Sequence, residues 1–456
     1  MKKSLSILAL LSVMGASVFA QNYKPTSNTS SSTAGLFSTD VDNFIDITDW
    51  ASVNPENFFG VLGYDGVYGL QLGAAKNLKN GYHAIYLDGN LGWNFTNTSS
   101  TTYTGDDKNK TTTDTGNTSS FRLNYLFGKD KTSYKAGLAY SGFADDKKTK
   151  SDTLKSNVQH FYFSPYFMYG TAVKGKKYDL TPYAGIRFYE NVNKTKTVNS
   201  TGTDPVTNVS NTSTGGLVLS GGTNIDLGKK DKFSHSANVD GSATISIYPS
   251  KSASGKAGDT TSFTKSSGRS NLSANISGEY TAYYDINDKL SIGGSVNSNL
   301  TASTSSGAKK TVVSSAGTET ETALAYTKTT AFNLYNSAYF GLKYAANKTV
   351  QLNAGARVTL PTVTFTGSSS YNTDNKKTSS STTFAGNSVG CPLNLYSGAN
   401  FNLGNIVNLD VYANVLGNLL TSTLDSKWAT GTGTNFWNNV NNIVFPSFGI
   451  IASVKF

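Results

Sequence analysis

The run Asn271-Leu272-Ser273-Ala274-Asn275-Ile276-Ser277-Gly278-Glu279-Tyr280-Thr281-Ala282-Tyr283-Tyr284-Asp285-Ile286 decides the fold. In a β-strand, successive side chains point to opposite faces, so even and odd positions form separate surfaces. The even positions, from Leu272 through Ile276 and Tyr280 to Ile286, suit hydrocarbon. The odd ones, from Asn271 through Asn275 and Glu279 to Asp285, suit water. The same division recurs in Phe233, His235, Ala237, Val239, Ala243, Ile245 and Ile247 against Ser234, Ser236, Asn238, Asp240, Ser242, Thr244 and Ser246. It returns in Val350, Leu352, Ala354, Ala356, Val358 and Leu360 against Gln351, Asn353, Gly355 and Arg357. Such strands exceed the length of about 5 or 6 residues usual in a soluble sandwich.

Working outward, fifteen stretches of this kind lie between residue 66 and the end of the chain, one of them read as a single strand over 349–365. Their links alternate in length. Short ones such as Asn287-Asp288 and Asn347-Lys348 are followed by long ones rich in Ser, Thr and Asn. Short turns at one end and long loops at the other are the layout of an outer-membrane barrel, where strand counts are even. Residues 57–64, followed by a tight Asp65-Gly66 turn, supply the missing strand and place both ends of the barrel on the short-turn side. The expectation is an all-β, transmembrane, antiparallel up-and-down barrel over 57–456. It has about sixteen strands, with fourteen as the fallback. Loops such as 367–388, with 14 Ser, Thr or Asn among 22 residues, are expected to be mobile because they have too little apolar surface to fold alone.

Composition agrees. Charged residues are 15% of the 456, against about 25% in an ordinary globular domain. The 12% aromatic content argues against disorder over most of the chain. Cys391 is the sole cysteine, so no internal disulfide forms.

Residues 1–20 read as a secretory signal: basic Lys2-Lys3, an apolar stretch from Leu5 to Val18, and Val18-Phe19-Ala20 as the cleavage site. Loss of this leader lowers the net charge from +10 to +8 by removing Lys2 and Lys3. Residues 21–56 then form a polar linker and a short acidic amphipathic helix. From Pro25 to Ala75 there is no Lys or Arg, and Thr39 with Asp42 fits a capping box. Phe44, Ile45 and Trp50 would anchor this helix at the periplasmic mouth as a gating segment. The lysine-rich short links on the same side would attract its acids.

At the other end Phe448, Ile450, Ala452, Val454 and Phe456 share one face, and the chain closes on the aromatic ring. This resembles the C-terminal signature of bacterial outer-membrane barrel proteins, the feature read by that family's assembly machinery. The resemblance implies a place in the outer membrane of a diderm bacterium, with membrane lipid and the barrel-assembly machinery as partners. It leaves an oligomer open and matches no subfamily.

Alternation points Asp88, Arg122, Arg187, Asp240, Glu279 and Arg357 into the lumen, where opposed charges set a transverse field and tune solute preference. Catalytic groupings are thin. Ser236 and Asn238 point away from His235, unlike the His, Ser and Asn that outer-membrane phospholipases place on one face. His160 with Asp145 and Asp146 is the remaining acid and histidine grouping. One Cys and three scattered His do not make a zinc site of ordinary spacing. No cofactor, no nucleic-acid partner and no enzymatic activity are expected. Passive diffusion of small hydrophilic solutes through a porin-like channel is the leading expectation. The alternatives are a hydrophobic-substrate transporter with an N-terminal hatch, similar to long-chain fatty-acid transporters, and a surface adhesin displayed on a barrel.

Overall fold

The structure, a computed structural model, describes residues 58–455 except 66–67, 93–99, 104–109, 116–117, 151–153, 176, 200–205, 257–262, 316–317, 361–362, 387–392, 404–406 and 417–447. The expected leader, the 21–56 segment with Phe44, Ile45 and Trp50, and Phe456 lie outside the described residues. Among those described, every regular element is a strand.

The first are β1 (Phe58–Asp65), β2 (Tyr68–Leu78), β3 (Gly81–Gly92), β4 (Ser100–Tyr103), β5 (Lys110–Thr115), β6 (Thr118–Lys129), β7 (Thr132–Lys150) and β8 (Leu154–Thr171). Next come β9 (Val173–Lys174), β10 (Asp179–Asn199), β11 (Val206–Lys230), β12 (Phe233–Lys256), β13 (Phe263–Asn287), β14 (Leu290–Ser306), β15 (Lys310–Ser315) and β16 (Thr318–Ala323). The last are β17 (Tyr326–Ala345), β18 (Val350–Thr359), β19 (Val363–Tyr371), β20 (Lys377–Gly386), β21 (Leu393–Leu403), β22 (Val407–Leu416) and β23 (Phe448–Lys455).

All pairings are antiparallel. β1 pairs with β2, β2 with β3, β3 with β6, and then β6, β7, β8, β10, β11, β12, β13 and β14 follow in turn. β14 continues to β17, β18, β21, β22 and β23. β23 pairs with β1, with Tyr64 opposite Ile450, Leu62 opposite Ala452 and Gly60 opposite Val454.

The short links form where the sequence can turn tightly. Asp130 and Asp231 take φ of 56° and 55°, left-handed values that Asp tolerates better than most residues. Asn287 Oδ1 accepts from the backbone N–H of Lys289 and Leu290 at 2.9 and 3.0 Å, and Asn347 Oδ1 does the same for Thr349 and Val350 at 2.8 and 2.9 Å. These local caps satisfy the backbone at the turn.

The two faces invert the burial of a soluble protein. Ile276 and Phe340 are 58% exposed and Ile245 50%, while Asn124 and Ser164 on the opposite face are fully buried and Ser295 is 3% exposed. Inverted burial of this kind needs a surrounding that is itself apolar.

The polar face is braced by tyrosines laid across glycines. Tyr166 on β8 stands opposite Gly137 on β7, and its hydroxyl donates to Asn124 Oδ1 on β6, one strand further on. Tyr183 opposite Gly222 reaches Asp240, and Tyr189 opposite Gly216 reaches Ser246. In each case the missing Cβ makes room for a ring that spans three strands, an aromatic rescue of the glycine.

Two expectations are corrected. The long loops were expected to be mobile, yet 367–388 runs largely through β19 and β20, which pair with each other from Val363 opposite Gly386 to Tyr371 opposite Lys377. β4 pairs with β5, and β15 with β16. These hairpins do not fold alone. β15 pairs with β13, β19 with β17 and β5 with β7, so the sheet below templates them through backbone hydrogen bonds that composition does not register. Secondly, the single strand expected over 349–365 is two. β18 stays beside β21, whereas β19 moves to β17 above Leu334. The break falls between Thr359, the end of β18, and Val363, the start of β19, and the sequence between them contains a proline, which has no N–H to give to a ladder.

Candidate functional site

Five of the six sequence-assigned lumen residues have described side chains, and all lie on the polar face. Arg122 is exposed on β6 and stands directly opposite Asp88 of β3, an opposed pair of unlike charge. Arg187, exposed on β10, is opposite Tyr166 and Val218. Asp240 accepts from Tyr183 Oη and lies between Gly222 and Ser277. Glu279 accepts from Ser295 Oγ and from Thr281 Oγ1 at 3.5 Å. Arg357 Cζ sits 5.3 Å from the ring centre of Tyr339, a cation over an aromatic face. The six are spread around the sheet rather than gathered into one cluster, and Asp88 with Arg122 is the directly opposed pair among them.

Several residues of this face lie outside the six assigned to the lumen from the sequence. Asp285 accepts from Ser291 Oγ at 2.8 Å, and Ser291 is opposite Lys343, which adds charge near the short-link end. Tyr166, Tyr183 and Tyr189 fix the positions of polar partners 42 to 57 residues away in sequence. A Tyr on the polar face opposite a Gly would have signalled them, but only once the register between strands was known. Apolar Leu126 and Val218 are also buried on this face.

The catalytic groupings fare as the alternation implied for His235. Its ring hydrogen-bonds Tyr280 Oη at 3.1 Å on the apolar face, with Ser236 and Asn238 on the other. His83 likewise pairs with Tyr125 Oη at 2.6 Å. The β7 register slips between Phe143, opposite His160, and Lys147, opposite Val158. Asp145 and Asp146 therefore fall in a bulge beside His160 on the backbone. Among the described residues, no group of three His, Cys, Asp or Glu could hold a metal ion, and no helix is long and apolar enough to cross a membrane.

The apolar face ends in aromatic rows. At the short-link end, Tyr134 packs on Tyr169 with ring centres 5.2 Å apart, and Phe233 on His235 at 5.1 Å. At the other, Phe332 packs on Phe365 at 6.1 Å, and Phe365 stands opposite Phe384. An antiparallel sheet with an exposed apolar band between aromatic rows and a polar opposite face resembles the bacterial outer-membrane β-barrel proteins.

Solved structures of that kind are similar to this chain. The toluene transporter TodX of Pseudomonas putida has 9% sequence identity and a TM-score of 0.36, over 96% of this chain and 98% of its own. The toluene transporter TbuX of Ralstonia pickettii has 9% identity and a TM-score of 0.34, over 96% and 97%. The ferric yersiniabactin uptake receptor FyuA of Yersinia pestis has 10% identity and a TM-score of 0.32, over 88% and 79%. No protein-family model matches the sequence, and no curated protein matches it.

Proposed function

We propose that the chain forms a closed sixteen-stranded barrel in the outer membrane, with a polar lumen that passes small hydrophilic solutes by diffusion. It is a channel and not an enzyme. The observation that carries this reading is the inversion of the two faces. The face rich in Ser, Asn, Thr and charge is turned away from the apolar one, and an aqueous passage is the setting in which both are solvated. Following the ladders from β1 through β2, β3, β6, β7, β8, β10 to β14, β17, β18, β21, β22 and β23 counts sixteen strands before β1 is met again. A barrel of that size leaves an aqueous channel where eight strands would be filled by side chains. The apolar band also has the right height. Phe332 and Tyr344 on β17 are about 40 Å apart along the strand, which at a tilt of ~40° gives roughly 30 Å across the membrane.

The polar lining favours this reading over the hydrophobic-substrate transporter. A second reading, the surface adhesin, draws support from the height of the wall. β11 and β13 each run 25 residues, far more than the ~9 to 11 needed to span a bilayer. Single-channel conductance of the purified protein in a planar bilayer tests the channel. Folded protein that passes no ions would overturn it.

A further inference from the structure

A recess of 1060 Å³ opens at the long-link end of the sheet, beyond the apolar band. It forms where β14 stops at Ser306 and β17 starts at Tyr326, because Gly307, Ala308, Leu324 and Ala325 carry the chain out to the β15–β16 hairpin and back. Asn271, Ser303, Ser305 and Thr327 enter its lining from the polar face, and the tip of the β19–β20 hairpin closes one side with Tyr371, Asn372 and Thr378.

The recess is built rather than incidental. Tyr326 stacks on Tyr371 with ring centres 4.8 Å apart and planes within 8°, and Lys309 Nζ lies 5.3 Å from the Tyr326 ring centre. The Tyr326 hydroxyl donates to Asn375 Oδ1. Backbone bonds from Gly307 N to Thr327 O at 3.0 Å, Leu324 N to Lys309 O at 2.8 Å and Asn372 N to Lys376 O at 2.9 Å hold the three chain crossings in place. A pocket whose walls are fixed before binding spares its ligand the cost of ordering them.

Its chemistry is selective. Hydroxyls and amides dominate, and each can both donate and accept, matching a ligand dense in hydroxyl groups. Tyr248, Tyr326 and Tyr371 offer apolar edges and faces for C–H surface. Arg269 is the one charged residue among the described residues that line the recess, it is exposed, and no acid joins it there. With Lys309 against the Tyr326 ring and no acid in the lining, the setting is cationic, and the Arg269 guanidinium suits a carboxylate through paired N–H donors.

We propose that this recess binds acidic sugars, namely hexuronates and short oligosaccharides that contain them, above the passage. The proposal deepens the channel reading and rests on it for the sugar's onward route. Full-length protein in detergent micelles should bind digalacturonate in isothermal titration calorimetry, and bind the neutral disaccharide maltose about tenfold more weakly or less. Arg269→Gln should weaken digalacturonate about tenfold and leave maltose unchanged, since a hydrogen bond to a charged group is lost. Tyr371→Ala should weaken both sugars. Lys377→Gln, a basic residue outside the recess, should change neither. Heat-modifiable migration confirms that each variant is folded. Equal digalacturonate binding by Arg269→Gln and the parent would overturn the proposal, as would a loss in Lys377→Gln as large as in Arg269→Gln. A conducting channel that binds no digalacturonate refutes the recess and leaves the passage standing. Binding without conductance supports the recess and refutes the passage.

Discussion

The tyrosine laid over Gly137 offers the sharpest test of how the polar face is held together. A Cβ at position 137 would sit 2.6 Å from Tyr166 Cε1 and 2.5 Å from its hydroxyl, so the ring must leave its place. Overpacking of this kind costs about 1 to 3 kcal/mol. The displaced hydroxyl also abandons Asn124, whose side chain is fully buried, and a buried polar group left without its partner adds about 1 to 3 kcal/mol. Gly137→Ala should therefore destabilise the protein by roughly 2 to 6 kcal/mol, whereas Tyr166→Phe, which removes only the hydroxyl, should cost about 1 to 3 kcal/mol. Gly278→Ala is the control. Its Cβ would meet nothing nearer than Asn238 O at 4.0 Å, on the apolar face, so its effect should stay within about 0.5 kcal/mol. Urea unfolding of protein folded into phosphatidylcholine vesicles, followed by tryptophan fluorescence, measures all three. The double variant Gly137→Ala with Tyr166→Ala should cost less than the sum of its parts, because the alanine then meets no ring. Additive effects in that cycle, or a Gly137→Ala as stable as Gly278→Ala, would refute the joint.

Replacing Ile276 with Arg on the apolar face should cost about 2 to 4 kcal/mol in the same unfolding assay, while Asn275→Arg on the polar face should chiefly alter conductance. Cysteines at 278 and 279 give a register test, with a membrane-confined reagent expected to label 278 and a water-soluble one 279. Deleting Phe456 should lower the amount of folded, heat-modifiable protein in the outer membrane, because β23 must meet β1; unchanged assembly would remove the terminal signal. Deleting residues 22–52 should raise conductance if that acidic segment narrows the periplasmic mouth, and a folded deletion that conducts like the parent would dismiss the gate.

Much of this was legible in the sequence because a strand's two faces are a local property. Ile276 and Ser277 are neighbours in the chain, and the pleat alone sends them to opposite sides. The turns were legible for the same reason, since Asn287 and Asn347 cap links using their own neighbouring N–H groups. From these periods came the membrane-type fold, the polar face carrying Arg122, Asp240 and Glu279, and the pairing of the last strand with the first. Local pattern does not carry the contacts that depend on register between strands. Composition marked residues 367–388 for mobility, yet β19 and β20 are ordered by a ladder borrowed from β17, and backbone hydrogen bonds are blind to the Ser and Thr side chains that suggested otherwise. Tyr166, Gly137 and Asn124 come from three strands, and the walls of the recess around Tyr326 and Tyr371 are joined only when two hairpins meet. Alternation with period two therefore determined which way each side chain faces, while the tertiary structure alone decided what each one meets there, because that depends on backbone registers set between segments far apart in the chain.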